Sequence, residues 1–163
     1  MSVIHLTQDL LGKPVISIVN GHVMAWLCDI LVAPTMRQIA AAVTLDNGVE
    51  DRGFRAIPSA DIQVWGRDAL LTGRRDFADW SDDLGQMMNW PSVSRHLRGY
   101  KVITASGKQI GTLYDLAINE RGQIVGYDLS EVLINGPIAD SRQLPAQAFR
   151  SLESNILVVD LAG

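Results

Sequence analysis

The sequence is poor in the residues that most metal sites and redox centres use. Of its 163 residues, one is cysteine and three are histidine. Cys28 alone cannot form an intrachain disulfide, which agrees with a reducing compartment. None of the histidines (His5, His22 and His96) has a histidine, cysteine or carboxylate partner at the spacing of a zinc site. We therefore expect no metal, no other cofactor and no disulfide framework.

Long apolar runs are also missing. The most apolar stretch, residues 24–34, is interrupted by Asp29 and is too short for a bilayer span, which needs about 20 residues. The first five residues lack the basic region and the small-residue cleavage site of a signal peptide. We therefore expect a cytoplasmic protein with no membrane span.

Neither sign of charge dominates the chain. The net charge is −4 and charged residues make up 20% of the sequence, whereas hydrophobic residues make up 47%. This composition is typical of a folded, well-packed protein. A mildly acidic chain does not attract the phosphates of nucleic acids, so RNA binding would require a local basic patch. The candidates are Arg74-Arg75 and residues 95–101, which lie beside acidic residues or near the predicted linker.

No catalytic motif is visible. The glycines form neither a GxxxxGK[ST] phosphate loop nor a GxGxxG that opens a helix, and they are typical of turns. Cys28 lies in an apolar stretch and is expected to be a buried, inert thiol, since a nucleophile needs a base partner and access. Asp29 and Asp115 are expected to accept backbone hydrogen bonds at a bulge or turn. We therefore expect no enzymatic activity and no catalytic residues.

Two segments, roughly residues 8–72 and 96–160, repeat the same order of features. Matched positions are separated by 85 to 87 residues, with Gln38 and Gln123 at the lower end and Gly12 and Gly99 at the upper. Repeats at a fixed period indicate one structural unit used twice. The other matched pairs include Gly21 and Gly107, Leu27 and Leu113, Asp29 and Asp115, and Pro58 and Pro145. The sequence therefore predicts an internal duplication.

Each copy contains short apolar stretches that alternate with turn signals. In the second copy, residues 102–105, 109–118 and 124–129 are separated by Ser106-Gly107-Lys108 and by the turn at 119–122. Closely spaced strands with glycine at the turns indicate a small barrel. We predict a mainly β protein with two tandem barrels, at residues 1–73 and 96–163, and a linker at residues 74–95.

The linker has a different pattern. Between residues 76 and 88, its apolar side chains follow helical spacing, and Pro91 restricts the residue before it. This predicts one short amphipathic helix that ends near Asn89. Four tryptophans are candidates for either the seam between the barrels or a partner interface. Trp26 and Trp65 lie in the first copy, where they align with Thr112 and Leu152 of the second. Trp80 and Trp90 lie in the linker.

The order of features in both copies resembles the PRC-barrel family. The pattern begins with Gly-x-x-Val-Ile, a glycine turn and a strand that ends in an aspartate and an apolar residue. A Gln-Ile pair, an apolar-Pro pair and a last apolar strand follow. The family includes the cytoplasmic domain of the photosynthetic reaction centre H subunit and the C-terminal domain of the ribosome maturation factor RimM. The resemblance implies a bacterial, non-enzymatic module that binds or organises other macromolecules.

Residues 131–140 diverge most clearly between the copies. Val132, Leu133 and Ile134 are three consecutive apolar residues in a predicted loop, and such side chains are expected to be buried. The loop could extend the preceding strand, pack on the other barrel or pair with a second chain. Together with Trp80 and Trp90 they form the candidate interface, which would bind an unidentified protein partner or a second copy in a homodimer. We expect a non-catalytic interaction or scaffold module. Two alternatives stay open: an RNA or ribosome-assembly factor, and a small-ligand binder or enzyme that uses the seam.

Overall fold

The computed structural model describes residues 4–46, 54–75 and 90–161. Strand β1 (Ile4–Leu6) comes first. The first unit then comprises β2 (Pro14–Ser17), β3 (Val23–Val32), β4 (Ile39–Asp46), β5 (Phe54–Pro58), β6 (Ile62–Trp65) and β7 (Leu70–Thr72). The second unit comprises β8 (Lys101–Thr104), β9 (Gln109–Asn119), β10 (Ile124–Val132), β11 (Gln143–Pro145), β12 (Phe149–Glu153) and β13 (Ile156–Val159).

Five short helical segments connect these strands in the described part of the chain. Helix α1 (Thr7–Leu10) precedes the first unit, and a π-helical segment (Val93–Leu97) precedes the second. Helix α2 (Pro137–Ser141) lies in the stretch that was predicted to be a loop. Single 3-10 turns occur at Ser59–Asp61 and Ala146–Ala148, each after a proline. The amphipathic helix expected at residues 76–88, with Trp80, lies outside the described residues.

The two sheets have the same strand order. The first runs β5-β4-β3-β2-β7-β6 and the second β11-β10-β9-β8-β13-β12, so each strand of one unit has a counterpart in the other. In both, a parallel pair joins the first and last strands of the unit (β2 with β7, and β8 with β13), and the other pairs are antiparallel. The fold class is therefore confirmed: the chain is mainly β and contains two tandem units. The boundaries proposed at residues 73 and 95 stay a prediction.

Turn chemistry explains why the strands reverse where they do. Gly21 and Gly107 adopt φ values of +75° and +90°, which side chains with a Cβ rarely tolerate. The Asn20 side chain accepts a hydrogen bond from the His22 amide at 2.9 Å, and the Gly21 amide donates to the Ser17 carbonyl at 2.8 Å. An asparagine–glycine pair is a strong hairpin signal, so the sequence determines this reversal locally.

The segment that precedes the helical turn of each unit pairs with a strand of the other unit. Strand β1 pairs with β9 of the second unit, with Leu6 opposite Ala117. At the matched place Ser92 forms a β-bridge with Leu31 of the first unit, and the Val32 amide donates to the Pro91 carbonyl at 2.9 Å. The two crossings use equivalent positions, so they are related by an approximate two-fold axis.

The axis passes near a second contact between matched residues. Gln38 and Gln123, which align in the repeat, form an isolated antiparallel bridge with each other. The Ile39 amide donates to the Gly122 carbonyl, and the Ile124 amide donates to the Arg37 carbonyl, both at 3.0 Å. One continuous cluster of buried apolar side chains extends through both units. The two units therefore share their core.

The tight turn at Gly122 lies directly against Trp65 of the other unit. Trp65 is fully buried, which agrees with the expectation that some tryptophans fill the seam. Gly122 has φ +76°, and a Cβ built on it would lie 2.5 Å from Trp65 Nε1. Replacement of Gly122 therefore requires both an unfavourable backbone conformation and a shift of the indole ring.

We expect Gly122→Ala to lower the free energy of unfolding by about 3 kcal/mol, since a left-handed conformation costs about 1–2 kcal/mol and the steric overlap adds to it. Urea unfolding followed by tryptophan fluorescence measures this loss. Gly107→Ala is the matched control, because Gly107 also has positive φ but a Cβ there would meet no atom within 4 Å. An equal loss in both variants would show that the indole contact contributes nothing.

Candidate functional site

Asp115 is the most buried carboxylate in the described chain, with 1% of its surface exposed. It lies in β9 and accepts hydrogen bonds from the Thr7 hydroxyl, from the Gln8 amide at 3.0 Å and from the Leu116 amide at 2.7 Å. Thr7 and Gln8 begin α1, so Asp115 caps a helix that comes from before the other unit. A carboxylate is well suited to this place, because it accepts the amides that a helix start leaves unpaired.

Asp29, in the first unit, makes the equivalent contact with the helical segment that precedes the second unit. Its Oδ1 accepts from the Ile30 amide at 2.8 Å and from the Ser94 amide at 3.3 Å, where Ser94 lies in the first turn of the π-helical segment. Its Oδ2 lies 3.9 Å from Arg95 Nε. The prediction that both aspartates accept backbone hydrogen bonds is therefore confirmed. The sequence did not indicate that two of the four backbone donors, the amides of Gln8 and Ser94, would come from the other unit.

Cys28 and Tyr127 have raised pKa values, and both side chains take part in packing. Burial raises the pKa of Cys28, and its Sγ donates to the Val43 carbonyl at 3.2 Å. Burial likewise raises the pKa of Tyr127, whose hydroxyl donates across the seam to the Met36 carbonyl at 3.3 Å. Cys28 is only partly buried, where the sequence predicted a buried thiol, and its raised pKa keeps it protonated at neutral pH.

Asp128 lies opposite Asp115 in the β9–β10 pair. Burial raises its pKa, the Asp115 carboxylate raises it further, and Arg142 lowers it. Two carboxylates side by side can mark an acid–base pair. Here Asp115 has three hydrogen-bond donors around it, so its oxygens are directed to the helix start and not to a ligand. Within the described residues no group of three or more metal-binding side chains occurs.

Candidate interface residues Val132, Leu133 and Ile134 do not act as one exposed patch. Val132 ends β10, and both Val132 and Ile134 are partly buried against the core. Leu133 lies between them with 59% of its surface exposed, while its amide donates to the Ile110 carbonyl at 2.8 Å. The segment therefore continues the strand, as alternating side chains in extended backbone point to opposite faces.

The other two interface candidates have different outcomes. Trp80 lies outside the described residues. Trp90 is partly buried and packs against a small cluster formed by Leu31, Ala41 and Val43 in the first unit. Trp90 therefore contributes to the packing of the segment that crosses to the first sheet.

The outer face of the first sheet carries apolar side chains in two cross-strand rows. Residues directly opposite each other in a sheet place their side chains on the same face. One row is Pro14, Trp26 and Leu45, and the other is Val23, Ile16, Leu71 and Val64. Trp26 has 40% of its surface exposed, and Ile18, which directly follows β2, has 53%. We call these two rows and Ile18 the apolar face.

The second unit presents a different chemistry at the same places. The counterpart of the first row is Lys101, Thr112 and Glu131, and that of the second is Gln109, Ile103, Val158 and Ser151. Ile18 corresponds to Ala105, since their amides make matching bonds to Thr72 and Val159. The strand order is shared but the outer surface is not. Sequence alignment could have found this difference only once the strand pairing was known.

Comparison with known families identifies the second unit. Residues 94–161 match the family model of the PRC-barrel domain. Residues 94–161 therefore form a PRC-barrel domain, and the first unit has the same strand order outside the matched range. No curated protein matches the sequence. In the described ranges, no helix has the length and apolar character needed to cross a membrane.

We expect Asp115→Ala to lower the free energy of unfolding by about 3 kcal/mol, because it leaves three buried donors without an acceptor. Chemical denaturation measures the loss. Asp9→Ala is the control: Asp9 is an exposed carboxylate in the same helix, and its removal is expected to cost no more than about 0.5 kcal/mol. A double-mutant cycle with Thr7→Val tests the contact itself, and simple additivity would argue against it.

We expect Leu133→Ser to change the free energy of unfolding by no more than about 0.5 kcal/mol, because its side chain is exposed. Ile134→Ser is expected to cost about 1–2 kcal/mol, because it removes apolar contact with the core. Thermal unfolding of the two single variants distinguishes them. If Leu133→Ser were the more destabilising, the strand-like alternation of this segment would be wrong.

Proposed function

We propose that the protein is a non-catalytic, cytoplasmic interaction module that binds a protein partner through the apolar face of its first unit. The observation that carries this proposal is the contrast between matched surfaces in one chain. Both units have the same strands, and therefore the same structural requirement at each outer position. In the first row, one unit nevertheless carries proline, tryptophan and leucine where the other carries lysine, threonine and glutamate.

The composition of the apolar face favours a protein partner. Its two rows contain no charged side chain, and Trp26 provides a large, partly exposed ring near the middle of the first row. Interface cores are depleted in charge, and tryptophan is enriched among the residues that dominate binding energy. The expected partner is an amphipathic segment with an aliphatic or aromatic face.

The apolar face gives no support to RNA recognition. Binding of RNA rests on several cations that neutralise phosphates, and on aromatic rings on which bases stack. The face has one ring of that kind, Trp26, and no cation among its members. An enzymatic role is less favoured for a different reason: Asp29 and Asp115 bind the helix starts, so their carboxylates are already used in the fold.

The test converts the first row into its counterpart. We expect the double variant Trp26→Thr, Leu45→Glu to lose at least about ten-fold in affinity for the partner, since truncation of one central aromatic anchor typically costs 2 kcal/mol or more. Partners captured from native lysate by wild-type protein are purified and their Kd values for both proteins are measured by calorimetry. Thermal unfolding confirms that the variant is folded.

The control alters the same positions on the second sheet, with Thr112→Ser and Glu131→Gln. Retained affinity in this control, with loss in the first-row variant, supports the proposal. Equal affinity in all three proteins would exclude the apolar face as the interface. Light scattering provides a separate outcome: a dimer mass for the wild type and a monomer mass for the first-row variant would make a second copy the partner.

A further inference from the structure

A groove of about 490 Å³ opens beside the bridge between Gln38 and Gln123. It lies between the turn before β4 in the first unit and the start of β12 in the second. Its polar lining comprises two arginines and three glutamines, namely Arg37, Arg150, Gln38, Gln123 and Gln147. Phe149 and Val125 are partly buried and provide an apolar floor. None of the lining residues is acidic.

The approximate two-fold axis relates this groove to a matched region on the other side of the bridge, where Trp65 lies. There Trp65 is fully buried against Gly122, and its amide donates to the Glu120 carbonyl at 2.8 Å. In the repeat, Leu152 aligns with Trp65 and Arg37 with Gly122, and Arg37 lines the groove. The groove side therefore carries a cation where the other side has a glycine.

The guanidinium groups of Arg37 and Arg150 differ in their hydrogen bonds. Arg150 Nη1 donates to the carbonyls of Gln147 and Phe149 at 3.2 and 2.9 Å, and its Nη2 lies 3.4 Å from Asp160. These bonds fix the side chain at the rim. Arg37 is exposed, and its guanidinium donates to no residue in the described ranges. A fixed and an available guanidinium in one groove suit a carboxylate, which can accept paired N–H bonds.

We propose that this groove binds an acidic peptide segment. The arginines recognise an aspartate or glutamate side chain, and the carboxamides of Gln38 and Gln147 bond to the peptide backbone, since each offers both donors and an acceptor. The Gln123 carboxamide contributes its N–H groups, because its Oε1 already accepts from Asn119 Nδ2 at 2.9 Å. The apolar floor favours a peptide over a free anion, because it can cover the methylene groups of the acidic side chain. RNA would require more phosphate contacts than two arginines provide. The groove shares no residue with the apolar face, so this inference does not depend on the proposed function.

The test is a titration of full-length protein with the peptide acetyl-Glu-Glu-Glu-Glu-amide, followed by amide chemical shifts. We expect saturable shifts concentrated at the groove, and weaker binding at higher salt. Arg37→Gln is expected to weaken binding at least about five-fold, as one charge-assisted pair is lost. Arg67→Gln is the matched control, since Arg67 is an exposed arginine that does not line the groove.

Three parallel titrations decide the ligand class. The peptide acetyl-Gln-Gln-Gln-Gln-amide should not bind if charge recognition carries the interaction. Inorganic phosphate that binds as tightly as the acidic peptide, with the same dependence on Arg37, would overturn the peptide proposal in favour of a small-anion site. Tighter binding of a uridine hexanucleotide would overturn it in favour of RNA. Shifts that do not saturate with the acidic peptide, or an equal effect of Arg67→Gln, would exclude the groove.

Discussion

The hydrogen bonds between each buried aspartate and the helix start that crosses to it hold the two units in one arrangement. Asp115 accepts from Thr7 and Gln8, and Asp29 accepts from Ser94. Each carboxylate belongs to the long second strand of its unit, and each helix start leads into the first strand of the other. If the units separated, the carboxylates and the helix amides would lose their partners together, and the strand pairs beside them would open. The same contacts therefore serve capping and assembly.

This arrangement determines which parts of the chain could diverge. Residues at the crossing are constrained from both sides, because a change in one unit disturbs the packing of the other. The outer faces carry no such constraint, since their side chains point away from the shared core. The contrast between the row with Trp26 and the row with Thr112 lies on these faces. The shared positions explain stability, and the differing positions are where recognition should be sought.

Much of the fold could be predicted because its signals are local. Turn glycines such as Gly21 and Gly107, and the apolar stretches between them, predicted the first three strands and the last strand of each copy. Strands β6 and β12, and the parallel pairing of the first and last strands of each unit, were not predicted. The crossing could not be predicted, because Thr7 and Asp115 are 108 positions apart and nothing local distinguishes capping within a unit from capping between units. Residues 131–140 were expected to form a loop that could extend the preceding strand: Val132 does complete β10, whereas the helix that begins at Pro137 was not predicted. Whether a tryptophan side chain is buried depends on the register of its strand. The sequence therefore did not show that Trp65 is buried and Trp26 partly exposed.

The groove shows why an approximate symmetry axis is a place where new recognition can arise. Two identical halves would present the same cleft on each side, with the same side chains and the same packing. Here Trp65 closes one side and contributes to the core, so that side adds to stability. The other side has Leu152 and Arg37 at the matched positions, and the exposed Arg37 guanidinium is available to a ligand. Each side of the axis contains residues from both units. A substitution at one matched position, such as tryptophan for leucine, can therefore alter one side without altering the backbone bridge between Gln38 and Gln123. Divergence at the axis can thus create a binding site at little cost to the fold.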